Sequence, residues 1–161
     1  MKIILNLLMG VLLFIGGNKN STAYAQENLI NYSMKFKITI INYYFGRIDK
    51  RTIVTNDSLS FEHKVYRGNN EKTSRLLNPD EKIKMAEFLE NFPLNQLDEQ
   101  YVTNDVKDVT QMSFIININD ELKEIFIGNV YQEDLGKLVK LIVTMLPEDF
   151  IRYRKELIYP Y

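Results

Sequence analysis

Residues 111–146 read QMSFIININDELKEIFIGNVYQEDLGKLVKLIVTML, and this stretch joins two alternating segments to one helical segment. Apolar side chains recur at every second position of the first segment: Met112, Phe114 and Ile116. Asn119-Asp120 favours a tight turn before a second strand at residues 122–127. The pattern predicts a β-hairpin with one buried face.

The segment at residues 131–146 changes to helical spacing and stops at Pro147. Its apolar stripe consists of Leu135, Leu138, Val139, Ile142, Met145 and Leu146. Such a stripe is typical of an amphipathic helix that packs on a sheet. We therefore expect this helix to supply the main aliphatic layer of the core, with Leu138, Val139 and Ile142 almost fully buried.

The preceding part of the chain predicts strands at residues 34–42, 48–55 and 58–66, with Asn56-Asp57 as the turn between the last two. A helix is predicted to follow and to end before Pro93. Its N-terminal signature is an N-cap, a proline at the first helical position and a capping-box glutamate: Asn78, Pro79 and Glu81.

The order β-β-β-α-β-β-α predicts an α+β fold with two layers. We expect an antiparallel sheet of about five strands with both helices on one face, because every element has one apolar side. The tail at residues 148–161 fits either a short helix or a strand.

The first 25 residues have the three-part layout of a secretory signal peptide. Lys2 precedes a mostly apolar run at residues 3–15, and small residues end the segment at Ala23 and Ala25. A membrane anchor is the alternative, but thirteen helical residues span only about 20 Å of the roughly 30 Å hydrocarbon core. We expect cleavage between Ala25 and Gln26.

Residues 26–161 would then form a single exported α+β domain, either periplasmic or secreted. The chain has no cysteine, so a thioether-linked lipid anchor is excluded and no stable membrane anchor is expected after cleavage. The missing cysteines and the single histidine, His63, also argue against thiolate zinc sites, cysteine nucleophiles and a histidine-based triad. The chain has 20 basic and 21 acidic residues, so it has no excess of positive charge and nucleic acid is not an expected partner.

Three groups of residues are candidates for a site. Tyr43, Tyr44, Phe45 and Arg47 form a dense aromatic cluster of the kind enriched at protein interfaces; the alternative is that alternate rings fill the core. His63 lies in step with apolar neighbours, which favours a core or edge histidine over a general base or ligand. The third group lies in a loop rich in side-chain oxygens, which is either a site for a hard cation such as calcium or a solvated connection. Its residues are Asp98, Glu99, Asn104, Asp105 and Asp108.

No catalytic residue, metal or cofactor is expected, because the loop spacing is not that of an EF-hand and no nucleophile or phosphate-loop motif occurs. Asp57-Ser58-Leu59 is similar to the Asp-Ser/Thr-aliphatic acceptor that Bacteroidota use for O-glycosylation of exported proteins. The predicted turn explains Asp57-Ser58 equally well.

The layout of residues 34–153 resembles small exported proteins of Bacteroidota that are grouped in domains of unknown function. The resemblance follows a set of short segments in order: Asn78-Pro79-Asp80-Glu81, Phe92-Pro93-Leu94, Tyr101, Asp108 and Leu146-Pro147. These families imply no activity. The leading hypothesis is a non-enzymatic exported binding or interaction module with a cell-envelope or secreted protein as partner. The alternatives are a small periplasmic hydrolase that uses carboxylates, and an inhibitor or immunity-type protein.

Overall fold

A computed structural model describes residues 34–65, 68–103, 111–147 and 150–155. Within these residues the chain forms an α+β fold with one seven-stranded sheet and two α-helices. The strands are β1 (Phe36–Tyr44), β2 (Arg47–Thr55), β3 (Ser58–His63), β4 (Glu71–Leu76), β5 (Gln100–Val102), β6 (Gln111–Ile118) and β7 (Glu121–Gly128). The helices are α1 (Pro79–Glu90) and α2 (Glu133–Val143), and a short 3₁₀ turn covers Leu94–Gln96. The predicted leader and its cleavage site at Ala25 and Gln26 lie outside the described residues.

The sheet order is β4-β3-β2-β1-β6-β7-β5, and β1 therefore lies at its centre. The pairs are antiparallel apart from β5, which runs parallel to β7. The prediction of about five strands was too low. β4 is an edge strand with mostly exposed polar side chains, so its sequence has no apolar alternation. β5 has only three residues and is defined by its pairing with β7, which no local pattern shows.

One face of the sheet carries the core. Ile38 and Ile40 of β1 are fully buried and oppose Ile116 and Phe114 of β6, while Val54 of β2 opposes Ile38 from the other side. These residues belong to one apolar cluster with buried side chains of both helices. Burial of this face is the main driving force for folding.

Helix α1 begins with the predicted capping box. The Glu81 amide donates to Asn78 Oδ1 at 2.9 Å, and the Asn78 amide donates to Glu81 Oε2 at 2.9 Å. Two of the amides at the helix start thus receive acceptors, and Pro79 occupies a position that needs no donor. The capping prediction is confirmed.

Helix α2 is shorter at both ends than residues 131–146. Gln132 is its N-cap, and the Gln132 side chain accepts from the Leu135 amide at 2.7 Å. Leu138 and Ile142 are fully buried and Val139 is 2% exposed, so the predicted aliphatic layer is confirmed.

The sequence allowed a short helix or a strand in the tail, and residues 151–154 form neither. Ile151 and Tyr153 are nevertheless buried, and Tyr153 stacks on Tyr131 with ring centroids 5.2 Å apart. The segment is therefore fixed by side-chain packing instead of backbone pairing.

A bidentate ion pair joins β4 to α1. The Arg75 guanidinium donates to both Glu81 carboxylate oxygens, at 2.7 and 2.8 Å, and also to the Met145 carbonyl at 2.9 Å. The hydrogen bond from Arg75 and the Asn78 amide hold the pKa of the Glu81 carboxyl below its usual value, although partial burial opposes the shift. The same pair raises the pKa of Arg75.

This pair predicts a pH dependence of stability. Because the folded-state pKa of Glu81 is lowered, its contribution is complete above the unfolded value of about 4.3 and is lost as pH falls towards the folded pKa. Urea unfolding should show that Glu81→Gln flattens the acid part of the stability curve. Glu87→Gln, at an exposed position of the same helix, should leave the curve unchanged; equal curves for wild type and Glu81→Gln would contradict the expectation.

Candidate functional site

The turn between β1 and β2 places an aromatic residue in a strained conformation. Phe45 and Gly46 have φ values of 48° and 71°, as a type I′ hairpin turn requires at both central positions. The left-handed region costs a residue with a Cβ roughly 1–2 kcal/mol, and it is tolerated best by Asn and Asp. The other described non-glycine residues with positive φ are of those two types: Asn119, Asp120 and Asn129. Phe45 is therefore a poor choice for folding at this position.

The side chains at this turn are also exposed. Phe45 is 75% exposed and Tyr44 is 66% exposed. Their rings form an edge-to-face pair with centroids 4.5 Å apart, an arrangement that aromatic quadrupoles favour. Two large apolar groups thus stay in water and hold each other in place.

The two rings border a cavity of about 640 Å³, called here the hairpin-tip pocket. It is lined by Tyr44, Phe45, Arg47, Ile48, Asp49, His63, Lys64 and Val65. The Lys64 amide donates to the Asp49 carbonyl at 2.7 Å, which keeps the end of β3 beside β2. The volume lies in the range of small-molecule and side-chain binding pockets.

A histidine and a carboxylate meet in this pocket. His63 Nε2 lies 3.4 Å from Asp49 Oδ1, and the two side chains are 40% and 33% exposed. The sequence left a core and an edge position open for His63, and the structure places it at the edge of the core, partly exposed. The reason is its place at the last residue of β3, where the buried part of the strand has ended.

Charged side chains lie in the pocket and beside it. Lys64 Nζ lies 2.6 Å from Glu62 Oε1, and Arg51 Nη1 lies 3.8 Å from Glu62 Oε2. The hydrogen bond from Lys64, with the nearby cations, holds the pKa of Glu62 below its usual value. Two cations, Lys64 and Arg51, thus share one carboxylate. Arg47 adds a further positive charge opposite Tyr44, with which it pairs across the β1–β2 turn.

The structure separates the predicted contact cluster. Tyr44, Phe45 and Arg47 line the pocket, whereas Tyr43 lies between strands with its hydroxyl 3.2 Å from Ser113 Oγ. Sequence reasoning missed Asp49 and its neighbours. The predicted two-residue turn at Asn56-Asp57 sets the register of the β2–β3 hairpin and pairs Lys50 with His63. This register could have indicated that Asp49 lies near His63.

The acidic loop does not meet His63 in the described residues. Asp98 and Glu99 precede β5 at one edge of the sheet, and β3 is five strands away, or about 24 Å at the usual strand spacing. Asn104, Asp105 and Asp108 lie outside the described residues. Within the described ranges, no three or more His, Asp or Glu side chains are grouped so that they could hold a metal ion.

The acceptor-like tripeptide runs from the β2–β3 turn, at Asp57, into the first two residues of β3. Asp57 Oδ1 lies 2.7 Å from Lys82 Nζ, and Ser58 Oγ lies 2.9 Å from Thr55 Oγ1. Leu59 is fully buried. Contacts within the fold therefore account for all three residues.

A second cavity, of about 540 Å³, lies at the other end of β1. Met34, Phe92, Leu94 and Ile118 contribute its apolar lining, and none of them is among the strongly exposed apolar side chains. The hairpin-tip pocket is therefore the stronger candidate for a contact site.

Neither helix among the described residues is long and apolar enough to cross a membrane. No protein-family model matches the chain, and no curated protein matches it in sequence.

Proposed function

We propose that this protein is an exported, non-enzymatic binding module that contacts a cell-envelope or secreted protein through the hairpin-tip pocket. Export rests on the predicted leader and cleavage between Ala25 and Gln26. The binding role rests on Phe45, which combines a left-handed backbone with a side chain that is 75% exposed. Neither property helps the chain to fold, and strained residues in native proteins concentrate at functional sites.

The composition of the pocket supports a protein partner. Tyr44, Phe45 and Arg47 belong to the residue types enriched at interface hot spots. Their rings are preorganised by mutual contact, so little side-chain entropy remains to be lost on binding. An inhibitor or immunity-type role would use the same surface and would differ only in the identity of the partner.

Phe45→Asn separates binding from folding. The variant creates Asn-Gly, the preferred pair for a type I′ turn, and so it should raise the free energy of unfolding by about 1 kcal/mol. It also removes the exposed ring, and partner binding should weaken at least about 30-fold, which corresponds to a hot-spot loss of about 2 kcal/mol. Affinity capture from envelope extracts, quantified by titration, measures the second effect.

Leu122→Asn is the matched control. Leu122 is 58% exposed on β7, away from the pocket, so its replacement removes exposed apolar surface without changing the turn. We expect it to retain binding. Equal capture by wild type and Phe45→Asn would contradict the proposed function.

A further inference from the structure

The hairpin-tip pocket differs in charge from the rest of the chain. Two cations and one carboxylate line the pocket: Arg47 and Lys64 against Asp49. With His63 neutral, these two cations and one carboxylate give the lining a net charge of +1, whereas the whole chain has −1. A local excess of one sign selects partners of the opposite sign.

We infer that the hairpin-tip pocket binds an acidic peptide segment that inserts one large apolar side chain. This inference rests on the proposed function and names the partner chemistry of the same site. The apolar side chain would lie against Tyr44, Phe45 and Val65, which are exposed by 66%, 75% and 38%. Covering these groups removes apolar area from water, which supplies affinity.

The carboxylates of the segment would lie near Arg47 and Lys64. The Lys64 ammonium has three donors, and Glu62 occupies one of them. Glu62 is itself satisfied by Lys64 and Arg51, so its charge is already shared. Asp49 opposes an acidic partner, but its Oδ1 already lies 3.4 Å from His63 Nε2, and the two cations of the lining outnumber this one carboxylate. The balance favours an acidic segment.

Peptide selection tests the inference directly. A displayed random-peptide library is selected on the purified protein and counter-selected on Phe45→Asn. We expect the surviving peptides to be rich in Asp and Glu around one Phe, Leu or Met. A synthetic peptide from this set and its charge-reversed version, with Lys in place of Asp and Glu, are then compared by fluorescence anisotropy.

The acidic peptide should bind at least about tenfold more tightly than the charge-reversed one, and added salt should weaken it. Arg47→Glu should weaken the acidic peptide by a similar factor. Lys84→Glu, at an exposed position of α1, should have little effect.

The outcomes separate the inference from the proposed function. If the selected peptides depend on Phe45 but are neutral or basic, the acidic partner is wrong and the binding function stands. If no peptide depends on Phe45, both are wrong. Displacement of the acidic peptide by a single-stranded oligonucleotide would assign the cations and rings to nucleic acid instead and would also overturn the inference.

Discussion

Leu138→Ala is expected to lower the free energy of unfolding by about 2–5 kcal/mol, the usual range for a large-to-small change in a core. Leu138 is fully buried at the centre of α2 and belongs to the same apolar cluster as Ile38 and Phe114 of the sheet. Removing its isobutyl group loses transfer free energy and leaves a cavity that two packed layers cannot easily close. Since small domains are stable by only about 5–15 kcal/mol, the variant will approach the threshold of unfolding.

The measurement is urea unfolding at constant pH, with the midpoint and slope fitted separately. Leu122→Ala is the matched control, because Leu122 is 58% exposed and the same chemical change should cost less than about 0.5 kcal/mol there. A loss below about 1 kcal/mol for Leu138→Ala would mean that the stripe of α2 is not the main core layer.

The sequence predicted the elements whose hydrophobic pattern is decided locally. β1 and β6 alternate, α2 carries a continuous stripe, and α1 starts with a capping box. Each of these signals depends on residues that are close in sequence, so it can be recognised without knowledge of the tertiary contacts. Burial then agrees with the pattern: Met112, Phe114 and Ile116 are all fully buried.

The sequence did not predict features that arise from pairing between distant residues. β4 lies at an edge of the sheet, and its side chains are mostly polar and exposed. The three residues of β5 form a strand only because they pair with three residues of β7. The His63–Asp49 contact depends on the register of the β2–β3 hairpin. To predict these features one must know which strands are neighbours in the sheet. A local hydrophobic pattern does not carry this information.

The tip of the first hairpin shows how local and global requirements can conflict. An Asn-Gly turn would suit the backbone, yet the chain has Phe45-Gly46 and exposes the ring. In a sequence selected for folding alone, the local preference of each residue agrees with the conformation that the fold requires. A residue that disagrees with its backbone conformation, such as Phe45, therefore marks a position under another constraint. The predicted effects of Phe45→Asn, with stability rising and binding falling, follow from that conflict.

Tyr153 is expected to be the most costly residue to truncate in the C-terminal segment. It is 3% exposed, stacks on Tyr131 and meets Phe114 edge-to-face with centroids 5.9 Å apart. Its hydroxyl accepts from the Gln132 amide at 2.7 Å and donates to the Val130 carbonyl at 3.2 Å. Tyr153→Ala should therefore lower the free energy of unfolding by about 3–5 kcal/mol, as for other buried aromatic rings.

Tyr153→Phe separates the ring from the hydroxyl. It keeps the stacking but leaves the Gln132 amide without its acceptor, which should cost about 1–3 kcal/mol. Because Gln132 also caps α2, this variant should raise the amide exchange rate at Leu135 more than at Ile142. Tyr44→Ala, which removes a ring that is 66% exposed, is the control and should change stability by less than about 1 kcal/mol. If Tyr153→Phe matched wild type in both stability and exchange, the hydroxyl would not position the start of α2, and the buried ring alone would hold the C-terminal segment.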